Sequence, residues 1–428
     1  MMKKMKFKII LILLVIPVFI VAQELPVYSL YSCYDSAINN YPNYSQLKLN
    51  REIYELNQKN ISSSYYPSLN INGQASWQSE VTKLPFGNNI PGINIEELDK
   101  DWYKLNLDIE QVIYDGGLVS NKKKIETVDL EINNQRLMIE IYHLKQNINA
   151  LYFNIVYLNK SREILKVLIS NLEVKYDQTK KSFENGMLLQ SDLDALSVEI
   201  NTTKQKIIQL NFDIAGLMGS LNELCGLDIS EPSQLKLPAV TVESFNFENN
   251  RPEYQMYNMQ QSKLFALKDL TKVKRRPAFV AFGQMGYGRP GYNMLDNSFT
   301  DYYMFGLRLR WNIWDWGKVK REKQVFDIQN NIVNTQKETF EQGLRADLQK
   351  KISDISKYQQ LIENDREIVR LQENVVKTAS SQMDNGTITT TNYLIEVNKK
   401  VKSELDLEAH KLQLIFANLQ YKTAIGNN

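Results

Sequence analysis

From position 137 onward apolar residues return at alternating steps of four and three: Leu137, Ile141, Leu144, Ile148, Leu151, Ile155 and Leu158, with Leu165, Ile169, Leu172 and Tyr176 resuming the register beyond Arg162. This is a heptad seam, the pattern that packs one helix along another. The pattern predicts one helix over 117–184, about 100 Å long at about 1.5 Å per residue. A globular core has no room for such a rod. At Asn185-Gly186 the chain can take the left-handed conformation that ends a helix, and a second seam, Leu196, Ile200, Ile207, Leu210, Ile214, Leu217, Leu221 and Leu224, predicts a returning helix over 188–225.

Ahead of the rod the period changes from 3.5 to two. Leu69, Ile71, Gly73, Ala75 and Trp77 alternate with polar residues, and Tyr103, Leu105, Leu107 and Ile109 alternate with Lys104, Asn106, Asp108 and Glu110. Alternation of this kind predicts strands with one apolar face, over about 68–82 and 102–113. A helical stretch over about 35–64 precedes them and stops before Pro67, because proline disfavours helix in the residue ahead of it.

The whole arrangement is written twice. Asn40, Pro42, Tyr44 and Pro67 recur 210 residues later as Asn250, Pro252, Tyr254 and Pro277, and past position 101 the offset becomes 200. There Tyr103 recurs as Tyr303, Asp115 and Gly117 as Asp315 and Gly317, Asn185-Gly186 as Asn385-Gly386, and Gly226 as Gly426. The units are thus 23–226 and 251–428, separated by 227–250. The second has a helix over 251–275, strands over about 278–288 and 302–313, a long helix over 317–384 and a returning helix over 388–424. The run Gly283-x-x-Gly286-x-Gly288 falls within a strand and reads as easing close strand approach.

The strands pose a problem of closure. Four strands with one apolar face cannot close a barrel, and an open sheet edge is not tolerated in lipid. Three copies would supply twelve strands, an even number within the range of outer-membrane barrels. Trp77, Trp102, Trp311, Trp314 and Trp316 all lie in or beside the strands, as expected for rings placed at the two membrane interfaces. The alternative is that they form aromatic pairs in a soluble sheet.

Composition changes this picture at few points. With Lys+Arg 51 and Asp+Glu 49 the net charge is +2, so no overall field draws the chain to nucleic acid. The basic runs Lys122–Lys124 and Lys272–Arg276 read as solvated, or as touching lipid headgroups near the strands. Lys3, Lys4, Lys6 and Lys8 precede an apolar run from Ile9 to Val21 and then Ala22-Gln23, which reads as a secretory signal over 1–22. Cys33 and Cys225 are the only cysteines; a disulfide between them, or lipidation of Cys33 in the sequence LYSC, is open. His143 and His410 are the only histidines, and no phosphate-binding loop, zinc pair or nucleophile elbow is present, so neither enzyme activity nor a cofactor is expected.

At this point the chain resembles the TolC-like outer-membrane efflux protein family: the tandem repeat, Asn-x-Pro before the helix-then-strand passage, aromatic-Asp-x-Gly before the long helix, and Gly186 and Gly386 at the helical turns. The resemblance covers nearly the whole chain after the signal. It implies a mixed α and transmembrane β fold: a homotrimer with a 12-stranded barrel in outer-membrane lipid, four strands per chain, continued by a periplasmic α-helical coiled-coil barrel, with 227–250 as an equatorial belt. It also implies a periplasmic adaptor and an inner-membrane pump or exporter as partners, in efflux or type I secretion. The helical turns would then narrow the channel and meet the adaptor, around Asn185, Gly186, Asn385 and Gly386. Asp192 falls where a family member uses a carboxylate to hold the entrance closed, with Asp194 beside it. Asn392 stands where an aspartate is common, with Glu396 one residue beyond the next such place, which holds Ile395. Met383 and Ile388 stand where an aromatic and a basic gate residue are found. Asp192 and Asp194 could equally serve only to start the returning helix. Asp115, Gly117, Asp315 and Gly317 read as hinges between strand and helix. A non-conducting, periplasm-spanning scaffold is the competing reading.

Overall fold

The computed structural model describes residues 26–82, 98–242, 244–245, 247 and 249–427. The proposed signal and most of the loop expected over 83–101 lie outside the described residues. In chain order the elements are β1 (Tyr28–Ser29), α1 (Leu30–Asn40), α2 (Gln46–Ser63), β2 (Ser68–Trp77), β3 (Asp101–Tyr114), α3 (Leu118–Glu184), α4 (Gln190–Cys225), β4 (Leu235–Lys236), α5 (Pro252–Val273), β5 (Ala278–Arg289), β6 (Thr300–Arg310), α6 (Lys318–Asp384) and α7 (Thr390–Ala424). Helix, strand pair, 67-residue helix and returning helix therefore occur twice in the same order.

Several boundaries differ from the sequence reading for identifiable reasons. The helix expected over 35–64 begins earlier, at Leu30, where the Ser29 hydroxyl accepts from the Ser32 amide at 3.1 Å. It then breaks at Tyr41, because Pro42 lacks an amide hydrogen and opens a separate 3-10 turn, Pro42–Ser45. Pro252 likewise opens α5, so Asn-x-Pro marks a helix start in both units. The strand expected over 68–82 ends at Trp77, which faces Asp101, the first residue of β3; past that pair the Gln78 amide still donates to the Lys100 carbonyl at 2.8 Å, and the described residues carry the pairing no further. β6 runs from Thr300 to Arg310 rather than over 302–313, because Arg310 faces Ala278, the first residue of β5, just after Pro277.

β2, β3, β5 and β6 form one antiparallel sheet in the order β2-β3-β5-β6, with a bulge in β3 between Val112 and Tyr114. Its two faces differ. On one, Asn72 and Gln284 both donate to Asp108, at 2.5 and 2.6 Å, Tyr302 donates to Asn106 at 2.5 Å and Arg308 pairs with Glu110 at 3.0 Å. A Cβ on Gly286 would lie 2.4 Å from the Asn106 oxygen and 2.5 Å from the Tyr302 ring, so only glycine leaves room for that contact. The other face carries Leu69, Ile71, Leu105, Phe305 and Leu307, and nothing among the described residues covers it: Ile71 is 74% exposed, Phe305 80% and Leu307 75%. A sheet that served as one wall of a water-soluble core would bury this face.

The helices pair as hairpins, α3 with α4 and α6 with α7, while α2 lies along α3, α5 lies along both long helices, and α7 also packs against α3. Apolar residues concentrate in three clusters. One at mid-length joins α1, α3, α4 and Ile229, Leu235 and Val240 of the linking segment; one nearer the turns joins both hairpins; a third joins α6 and α7. The linker is fastened further by the parallel pairing of β4 with β1 and by the Asn250 amide, which donates to the Ile425 carbonyl at 2.9 Å. Cys33 and Cys225 are fully buried free thiols in hydrogen-bond contact. Cys33 is inside α1, facing the first cluster. Among the described residues no helix is long and apolar enough to cross a membrane.

Candidate functional site

Three places carry the candidate residues: the strand-to-helix junctions, the two ends of the sheet and the helical turns. At the first junction the Asp115 carboxylate accepts from the Gly117 amide at 2.7 Å and the Val119 amide at 2.6 Å. Asp315 accepts from Gly317 at 3.0 Å and Val319 at 2.9 Å. Each carboxylate thus satisfies amides that a helix start leaves without partners. Gly117 and Gly317 have φ of 92° and 76°, the left-handed region that costs other residues about 1 kcal/mol or more. Burial pushes the Asp115 carboxyl upward, but the Val119 and Gly117 amides and the Tyr65 hydroxyl together outweigh it and hold it below the usual carboxylate range. At Asp315 the Val319 amide is the main cause of a shift in the same direction. The run Lys272–Arg276, read from sequence as solvated, is engaged here: Arg276 donates to the Gly116 carbonyl at 3.0 Å and Lys274 pairs with Glu322 at 2.8 Å.

The tryptophans divide between the ends of the sheet. Trp77 shares the apolar face at the loop end and is 72% exposed. Trp311, Trp314 and Trp316 are exposed at the junction end, and Trp311 donates to the Arg275 carbonyl at 3.1 Å. Trp102 differs from its companions. It is out of phase with the apolar positions of β3, on the face of Lys104, whose ammonium lies 5.3 Å from the ring.

At the turns Gly186 (φ 73°) and Gly386 (φ 69°) follow Asn185 and Asn385, and the Met187 and Thr387 amides reach back to the Ser182 and Gln382 carbonyls, each at 2.9 Å. Nothing lies within 4 Å of a Cβ built on either glycine, so conformation alone calls for glycine there. Asp192 accepts from the Leu189 amide at 3.1 Å, and Asp194 accepts from Gln190 at 2.9 Å; both act within the start of α4. In the second hairpin Thr389 accepts from the Asn392 amide at 3.2 Å. Ile388, Asn392, Ile395 and Glu396 share one groove of about 550 Å³ with Val375 and Gln382. Glu396 accepts from Lys399 at 2.7 Å and Gln372 at 3.0 Å, and these contacts lower its carboxyl, Lys399 foremost. Met383 does not line that groove: it is 2% exposed in the cluster that joins the hairpins.

Sequence reasoning missed Lys175. Its side chain is 5% exposed, and its ammonium donates to Ser380 at 2.9 Å and Asp384 at 2.7 Å, with the Tyr393 ring 5.2 Å away. It bridges the first hairpin to the second, close to the turns. A lysine on the flank of a heptad seam, whose partner is on another element, carries no local signal. His410 donates to or accepts from Asp365 at 2.5 Å, between α7 and α6. Among the described residues no group of three or more His, Cys, Asp or Glu could hold a metal ion.

No protein-family model and no curated protein matches the chain. Solved structures do. The chain is similar to the outer membrane protein VceC of Vibrio cholerae, with TM-score 0.68 and 12% identity over 93% of this chain and 96% of that one. CusC, described with respect to folding and transmembrane channel formation, gives TM-score 0.71 and 14% identity over 96% of both chains. The open state of the MtrE outer membrane channel of Neisseria gonorrhoeae gives 0.64 and 16% over 93% of this chain and 88% of that one. At these identities the likeness establishes a shared fold along nearly the whole chain.

Proposed function

We propose that this chain is the outer-membrane channel component of an efflux or type I secretion assembly, a passive duct through which a partner's energy drives the cargo. The observation that carries this reading is the sheet: an uncovered apolar face backed by a hydrogen-bonded polar one. Strands of about ten residues at about 3.4 Å rise, tilted by about 45°, give a band roughly 24 Å high, close to the apolar band of an outer-membrane barrel. Exposed tryptophans at both ends of that band suit its two interfaces.

Closure follows from the free edges. β2 and β6 are the outer strands and run antiparallel to one another, so β6 of one copy can pair with β2 of the next and keep the alternation of faces. Two copies would give eight strands, a barrel whose interior is about filled by its own side chains; three give twelve and leave a lumen. In a homotrimer the hairpins would continue that wall into the periplasm, and their turns around Asn185, Gly186, Asn385 and Gly386 would meet a periplasmic adaptor and, beyond it, an inner-membrane pump or exporter. Asn392 in place of a carboxylate leaves Glu396, Asp192 and Asp194 as the acidic groups among the proposed gate positions, the first tied to Lys399 and the other two to their own helix. Such a tip would select weakly by charge.

Single-channel recording in a planar bilayer tests the reading. Purified protein is expected to give discrete conductance steps, more often open in Lys175→Met, which releases the tie between hairpins. Silence of both proteins, each shown to be inserted, would overturn the duct and favour the scaffold.

A further inference from the structure

The duplicated sequence sets a recognition problem inside the chain. α3 and α6 are both 67 residues long, run the same way from the sheet and share part of a heptad seam, and α7 lies against both of them. Each returning helix must nevertheless join its own long helix. Among the seam positions at which the hairpins differ, two layers near the turns are apolar in the first and polar in the second. Leu165 and Leu210 lie together in the apolar cluster near the turns; their counterparts 200 residues on are Asp365 and His410. Leu172 and Leu196, 1% and 0% exposed, become Gln372 and Glu396, which are hydrogen-bonded at 3.0 Å. Asp365 is 8% exposed, and its carboxylate meets His410 Nδ1 at 2.5 Å beneath the Tyr358 ring, 6.0 Å from the imidazole.

Several charged side chains of α3, α6 and α7 are engaged in pairs of their own. Lys357 pairs with Asp354 and Lys411 with Glu408, each at 2.6 Å, and Arg162 on α3 donates to Asn159 and Asn211. His410 is the hydrogen-bond partner that the structure provides for Asp365.

We infer that the Asp365–His410 layer is the partner-recognition element of the second hairpin. Pairing α7 with α3 would set His410 against leucine, and pairing α6 with α4 would bury Asp365 with no partner. Removing one member of a buried polar pair is costly, whereas an apolar replacement of both is close to neutral for stability. A single polar layer in a coiled-coil seam fixes which helices pair, at some cost in stability.

The test is an exchange of the layer between hairpins in the full-length chain, refolded from denaturant into detergent micelles and read by native electrophoresis, limited proteolysis and thermal unfolding. Asp365→Leu alone and His410→Leu alone are expected to lower the melting temperature. Asp365→Leu with His410→Leu should melt at or above the parent, yet the share of chain in the single native species should fall by roughly half as mispaired forms appear. Leu165→Asp with Leu210→His, which makes both hairpins polar, should lose homogeneity too. All four substitutions together exchange the layer and should restore the single species. The inference is overturned if the Leu/Leu protein refolds as homogeneously as the parent, or if the fourfold exchange recovers nothing beyond the Leu165→Asp, Leu210→His protein.

Discussion

Asp115 and Asp315 show how far a single side chain can be understood from its neighbours in sequence. Each carboxylate reaches two amides, two and four residues on, across a glycine with positive φ. Asp115→Ala should destabilise the first junction by about 1 kcal/mol, the usual cost of a lost helix cap, and Asp315→Ala should act in the same direction; thermal unfolding of each variant measures it. Both carboxyls titrate below their ordinary range. Their contribution is therefore complete above the pKa of an unfolded aspartate and is lost as pH falls through the lowered folded value. The stability difference between parent and Asp115→Ala should accordingly shrink on acidification below about pH 4; a difference that stays constant down to about pH 2 would refute the capping account. These contacts were readable because donor, acceptor and turn lie within five residues. Lys175 was not readable, because Asp384 lies on another element and nothing near position 175 announces it.

At the scale of elements, the heptad steps were enough to read two long hairpins, since helix length and seam depend only on local order. Which hairpin face meets which was not. Lys175 ties α3 to α6, and Met383 is buried where the hairpins meet. The difference arises from the supercoil: a residue's phase relative to a second, distant helix depends on how both are wound. Lys175→Met keeps the side chain's length and leaves Asp384, whose side chain is 55% exposed, in contact with water. The expected result is a small loss of thermal stability with faster amide exchange confined to the turns around 185 and 385. Protection unchanged at both turns would show that the bridge does not hold the hairpins together. The strand limits obey the same rule. β2 stops at Trp77 because β3 begins at Asp101, a fact about pairing that alternation in one strand cannot contain.

For the whole molecule the decisive feature is the uncovered sheet face. Phe305 is at mid-strand and 80% exposed. If that face meets lipid, Phe305→Arg should cost about 2–4 kcal/mol at the bilayer midplane and sharply reduce the membrane-embedded species in extraction and refolding assays. On the opposite face Met304→Arg should leave insertion nearly unchanged, since that face would line water. Equal loss from both variants would argue against a lipid-facing side. Trp102 belongs to this scale too: its type suggested an interface ring, but the pleat places it with the polar residues.

The sequence alone determined what depends on short range and on period: two copies of one unit, strands by alternation, rods by heptads, caps at Asp-x-Gly and turns at Asn-Gly. It also held the resemblance to outer-membrane efflux proteins, through the order of those signals. Only the tertiary structure decided the strand limits, the burial of Cys33 and Met383, the bridge from Lys175 and the Asp365–His410 layer. Each of these joins groups far apart along the chain, and a contact between distant segments is fixed by the packing of whole elements rather than by the preference of any local stretch.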